Sequence, residues 1–148
     1  MKSIKVLLMA ITLFAGLGMW FACENEGDDN EDGANHNVGN DCLVCHKTGG
    51  GGKGVFSAGG TVFIAGTTIG ATGATIKLFA TDDGGGSPIA TMISEVGGNF
   101  YTRSSINFGT GLYVKATSAK GTSSMISPIT TGACNSCHGV SADKITVQ

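Results

Sequence analysis

The sequence predicts an all-β fold, a sandwich of about seven short strands. Between Val55 and Ile129, short runs rich in Val, Ile, Thr, Phe and Tyr are separated by turns of Gly, Asn, Asp and Ser. Several runs alternate apolar and polar residues with the period of two that a half-buried strand requires. No stretch sustains the period of an amphipathic helix. At 148 residues the chain holds at most one ordinary domain, assigned to residues 42–148.

The elements follow in order. Residues 61–64, Thr-Val-Phe-Ile, form the first strand. In residues 74–80, Ile76 and Leu78 share one face and Lys77 points away. Residues 81–87, Thr-Asp-Asp-Gly-Gly-Gly-Ser, make a turn into a third strand at 89–93. Gly97-Gly98 turns the chain into residues 99–102, and residues 112–116 alternate again. Residues 123–127 and 144–147 complete the set.

Residues 1–22 stand apart in composition. Lys2 and Lys5 give a cationic start, and residues 6–21 are nearly all apolar, interrupted by Thr12. This is the pattern of a secretion signal, too short for a comfortable membrane span. Cys23 follows the apolar run directly, and the run resembles bacterial lipoprotein signals. That resemblance implies an acylated Cys23; the rival is a cut after Gly18, which leaves Cys23 as a free thiol. Residues 23–41 read as an acidic flexible linker, with seven of the eleven acidic residues of the chain. Such a composition cannot bury apolar surface, and its acids lack EF-hand spacing. From Cys42 onward seven Lys and Arg face four acids, scattered rather than clustered, so no nucleic-acid partner is expected.

Two segments carry the chemistry: Cys42-Leu43-Val44-Cys45-His46 and Cys134-Asn135-Ser136-Cys137-His138. Both read C-x-x-C-H, the attachment signature of c-type haem. Thiols at i and i+3 reach the two vinyl groups of one porphyrin, and the next imidazole falls under the iron. The motifs use four of the five cysteines and two of the three histidines. The cofactor expected is therefore haem c, two covalent groups held by Cys42, Cys45, Cys134 and Cys137, with His46 and His138 as proximal iron ligands. In every defined position, twice, the pattern resembles c-type cytochromes. The competing reading is a structural or binding module whose CxxC pairs hold zinc or form disulfides; it gives the two histidines no reason to follow each second cysteine.

Sixth iron ligands are in short supply. Beyond the signal only His36, Met92 and Met125 are available. His36 is either a distal ligand for one of the two irons or an exposed loop residue. Met125 either reaches the second haem, raising its potential relative to bis-His ligation, or fills the core. Met92 is the weaker candidate of the two. Phe56, Tyr101 and Tyr113 pack on a porphyrin or in the core. The glycine run at 49–54 departs from a phosphate loop, since Lys53 is followed by Gly54 and no helix follows. It reads as a linker giving slack beside the porphyrin.

Gly73-Ala74-Thr75-Ile76-Lys77-Leu78 and Gly97-Gly98-Asn99-Phe100-Tyr101-Thr102 resemble the Ig-like sandwiches grouped as carboxypeptidase regulatory-like or transthyretin-like domains. With its flanking motifs the chain resembles exported di-haem c-type cytochrome lipoproteins in which such a sandwich carries one CxxCH at each end. That resemblance implies electron transfer at the periplasmic or outer cell-surface side of a membrane, by an anchored carrier that is not an enzyme. The partners it implies are redox proteins or other multihaem cytochromes, with self-association left open. No acid–base dyad and no nucleophile with a spare histidine is present, so hydrolysis is not expected. A haem enzyme or gas sensor is the minor alternative if His36 leaves its iron five-coordinate. The ends of a sandwich lie close, which predicts Cys42 and Cys134 at one pole.

Overall fold

The computed structural model describes residues 36–148. The expected signal sequence at 1–22, Cys23 and most of the expected linker at 23–41 lie outside the described residues. Among the described residues there are seven strands: β1 (Ala58–Ile64), β2 (Thr75–Phe79), β3 (Ala90–Ile93), β4 (Asn99–Thr102), β5 (Tyr113–Ser118), β6 (Gly121–Ser124) and β7 (Ile145–Val147). They form a three-stranded sheet ordered β4-β1-β7 and a four-stranded sheet ordered β3-β2-β5-β6. The fold is the all-β sandwich that alternation predicts.

Alternation places the core. Ile76 and Leu78 of β2 point inward with Met92 of β3, Val114 and Ala116 of β5 and Leu112 before it. From the other sheet come Val62, Phe100 and Val147. Met92, at 4 % exposure, is core filling and leaves the short roll of iron-ligand candidates. On the outside of β2, Lys77 stays in solvent, as its position between two inward residues requires.

β1 differs from the other strands. Six of its seven residues are buried, on both faces. Ala58 and Val62 join the core, while Thr61 and Phe63 lie on the opposite face under the two ends of the described chain. Its pairing is divided along its length. Residues 58–61 pair antiparallel with β4, and residues 62–64 pair parallel with β7. The free edge beside its first half is taken by residues 132–135. The Gly59 N–H donates to the Gly132 carbonyl at 2.9 Å, and the Thr61 N–H to Asn135 Oδ1 at 2.6 Å. A side-chain amide thus completes a strand edge, which satisfies a buried backbone donor without a further strand.

Three features depart from the expectations. β6 starts two residues earlier than 123, because Ser118 and Gly121 pair across a two-residue loop. Each motif forms a helical turn: α1 (Cys42–Cys45), capped by the Asp41 carboxylate on the Leu43 N–H, and a 3-10 turn at Cys134–Ser136. One turn leaves no period to read. The third concerns residues 36–41, expected within the flexible linker. They pack on β1, where the Gly39 N–H donates to Thr61 Oγ1 at 2.9 Å.

Gly60 faces the core at the point where the second motif docks. A Cβ there would stand 2.8 Å from Cys134 Cβ and from Asn135 Oδ1, and 2.9 Å from Phe100 Cζ. Gly60→Ala is therefore expected to destabilise the fold by about 1–3 kcal/mol, where alanine at an uncrowded strand glycine would gain stability. Urea unfolding midpoints of the two proteins check the sign.

Candidate functional site

The first motif is built around His46. The single turn of α1 ends at His46, whose N–H donates to the Cys42 carbonyl at 2.9 Å. Glycines then carry the chain back over the imidazole. Nδ1 lies 3.2 Å from the carbonyl oxygens of both Lys53 and Gly54; carbonyls only accept, so Nδ1 carries the hydrogen. A Cβ at Gly52 would stand 2.7 Å from Nδ1, and a Cβ at Gly50 2.1 Å from the Cys45 carbonyl oxygen. The glycine run is thus a close wrapping of the histidine, which corrects its reading as slack. On the other side Phe56 stacks on the ring, centroids 3.9 Å apart and planes 3° apart. Tyr101 stacks on Phe56 at 4.3 Å, with the Arg103 guanidinium 5.6 Å from the Phe56 centroid.

With Nδ1 committed, Nε2 of His46 is the available ligand atom. It faces Nε2 of His36 at 3.5 Å, with the ring planes 40° apart. Two imidazole nitrogens on one metal ion stand about 3.3 Å apart in a tetrahedral set and about 4 Å apart when opposed, for bonds of ~2 Å. The observed separation lies between those values. His36, the histidine no motif claims, is the residue the fold brings to His46.

The second motif repeats the arrangement with a different surround. Nδ1 of His138 donates to the Asp143 carbonyl at 2.5 Å, again leaving Nε2 for a ligand. A backbone carbonyl on the far nitrogen is the usual orienting partner of a metal-bound imidazole. Cys134, Cys137 and His138 line a cavity of about 460 Å³ together with Met125, Ile129 and Lys144. That volume falls in the range of cofactor sites, ~300–1,000 Å³. Met125 is half-buried, packs against the core and lines the same cavity as the motif. Tyr113 pairs opposite Phe79 in the other sheet and lines neither site.

The two motifs meet on adjacent residues of β1. A Cβ at Gly59 would lie 3.2 Å from Cys42 Cβ, and one at Gly60 2.8 Å from Cys134 Cβ. Successive strand residues face opposite ways, so the motifs straddle the strand at one pole. Between them runs a buried relay. Thr61 Oγ1 donates to Asn99 Oδ1 at 2.6 Å, and Asn99 Nδ2 donates to the His36 carbonyl at 3.0 Å. Asn135 Nδ2 reaches the Gly39 carbonyl at 3.2 Å and that of His138 at 3.3 Å. Thr61, Asn99 and Asn135 were absent from the sequence-derived candidates. Buried Asn in a strand and inside a CxxCH was the available signal, since such amides need several partners.

The cysteines differ in environment. Cys42, Cys134 and Cys137 are free thiols, while Cys45 is disulfide-bonded. Haem attachment at the first motif requires that bond to be reduced. Burial, then the neighbouring Cys42 and Asp41, push the Cys134 thiol up to about 12. Burial and Asp41 also raise Cys42. Among the described residues no group of three or more His, Cys, Asp or Glu is gathered in one place. Each motif sets its two cysteines beside an imidazole oriented through Nδ1. No protein-family model matches the chain, and no curated protein or solved structure matches it either.

The thiols give a test of the apoprotein. Alkylation at mild alkaline pH is expected to label exposed Cys137 first and Cys134 last, followed by mass spectrometry of the peptides. The Cys134 proton is retained by the folded protein and lost by the unfolded chain between the ordinary value of 9.0 and about 12. Stability should therefore fall as pH rises through that window, and Cys134→Ser should flatten the fall in urea titrations.

Proposed function

We propose that the protein is a di-haem c-type electron carrier, exported and held at a cell envelope through Cys23. One observation carries this reading. At both C-x-x-C-H segments the imidazole ties Nδ1 to a backbone carbonyl, which leaves Nε2 as the nitrogen a metal ion would use. A zinc or disulfide clamp gives no role to either histidine. Haem supplies one-electron chemistry at iron, and the chain's task is to bind, orient and tune it.

In this reading Cys42 and Cys45 hold one group and Cys134 and Cys137 the other, with His46 and His138 as proximal ligands. His36 would supply a second imidazole to the first site, supported by its 3.5 Å approach to His46. Met125 serves the second, supported by its place in the cavity beside His138. A thioether holds ferrous iron better than a second imidazole does, so the second site would run at the higher potential. Lys144 on the cavity wall offers a cation to an acidic porphyrin edge. The partners would be redox proteins or further multihaem cytochromes, and the acidic leader would act as spacer from the membrane.

Protein secreted by cells with working cytochrome maturation should retain haem stain on a denaturing gel and weigh two haem groups more than its polypeptide and lipid. A colourless product of bare polypeptide mass refutes the proposal. Met125→Leu conserves volume and should cost under ~1.5 kcal/mol in stability. It should lower the higher of two midpoints in a redox titration and leave the lower one in place; an unchanged pair removes Met125 from the iron.

A further inference from the structure

The segment that carries His36 is held by three buried side chains, each from a different part of the chain. Asn99 on β4 holds the His36 carbonyl, Thr61 on β1 holds the Gly39 N–H, and Asn135 of the second motif holds the Gly39 carbonyl. The three also bond one another's strands: Thr61 Oγ1 donates to Asn99 Oδ1, and the Thr61 N–H to Asn135 Oδ1. All are within 8 % exposure. Between the clasped positions the chain makes a tight turn, the Asn40 N–H donating to the Asn37 carbonyl at 2.9 Å, with Asn37 in the left-handed region at φ 54°. A sandwich of this size has no need of a buried amide cluster for its core, and apolar residues there would avoid the desolvation cost. What the cluster fixes is five residues of backbone, 36–40, in which His36 is the one side chain able to bind a metal.

We infer that Asn99 is a positioning residue for the distal iron ligand: its amide, oriented by Thr61, anchors the backbone of residue 36 so that Nε2 of His36 is presented to Nε2 of His46. The direction of each bond supports this. Thr61 donates to the amide oxygen, which leaves the amide nitrogen to donate to the His36 carbonyl. An aspartate in that position would meet the carbonyl with an oxygen and repel it. Asn135 belongs to the second C-x-x-C-H, so the first site receives its distal ligand only when the second motif is seated on β1. This inference rests on the haem reading above and adds to it a device for delivering the sixth ligand.

The test uses the mature holoprotein, with carbon monoxide as the probe of an open axial position. His36→Ala is expected to bind one more equivalent of CO per reduced protein than the wild type, and to gain a high-spin ferric signal in electron paramagnetic resonance. Asn99→Ala should reproduce both changes while covalent haem stays at two per chain by mass. Asn99→Ser keeps a hydroxyl for Thr61 but is too short to reach the His36 carbonyl, and it carries the same expectation should the alanine variant fail to fold. If His36→Ala opens a position and neither Asn99 variant does, Asn99 is not the positioning residue. If His36→Ala changes nothing, His36 is not a ligand and the inference falls with it. A wild type without covalent haem is a different result, which refutes the proposed function itself.

Discussion

Two consecutive glycines on a strand buried from both sides set how closely the two C-x-x-C-H segments approach. Gly59 and Gly60 offer no side chain on either face of β1, and Cys42 and Cys134 occupy the space on opposite sides. Backbone close approach is what glycine supplies here, at the entropic cost of a weaker strand. The cost is offset by Thr61, whose N–H and hydroxyl both find buried partners in the segments that the glycines admit. The strand is therefore both the centre of one sheet and the wall against which the two motifs are seated. A single side chain at position 60 would displace the second motif, and with it Asn135 and the clasp on Gly39.

The two imidazoles are prepared in the same way and surrounded differently. His46 sits between a glycine backbone and the Phe56 ring, 7 % exposed, with Nε2 already opposite another imidazole. Its orientation is over-determined: two carbonyls on Nδ1, a ring on one face and a loop on the other. His138 opens instead onto a mainly apolar cavity with a thioether in its wall. The stack from His46 through Phe56 to Tyr101 leads to the surface, where Arg103 lies over both rings. Two sites with the same five-residue signature thus differ in solvent access, in neighbouring donors and in charge.

Much of the fold was legible because its signals are local. Ile76, Lys77 and Leu78 show the strand period within three residues, and the C-x-x-C-H spacing is complete within five. The short turns at the motifs were not legible, since four residues cannot display a period. The glycine run from 49 to 54 was misread for a related reason. Glycine announces that a backbone is free to approach something, and the sequence does not say what; here it is the imidazole of His46. Met92 and Met125 look alike as letters in strand-like stretches. One pairs with Ile76 and is buried in the core, while the other packs half-buried against that core and lines the cavity beside His138.

By itself the sequence determined the all-β class, the order of strands along the chain and the two thiol–imidazole segments, because each is written in neighbouring residues. Tertiary structure alone decided which residues meet: His36 with His46, Asn99 with the His36 carbonyl 63 positions away, and Thr61 with Asn135 across 74. Those contacts arise from strand pairing and from the divided edge of β1. The physical reason is that a hydrogen bond between distant residues depends on the register of every strand between them, and no local pattern encodes that register.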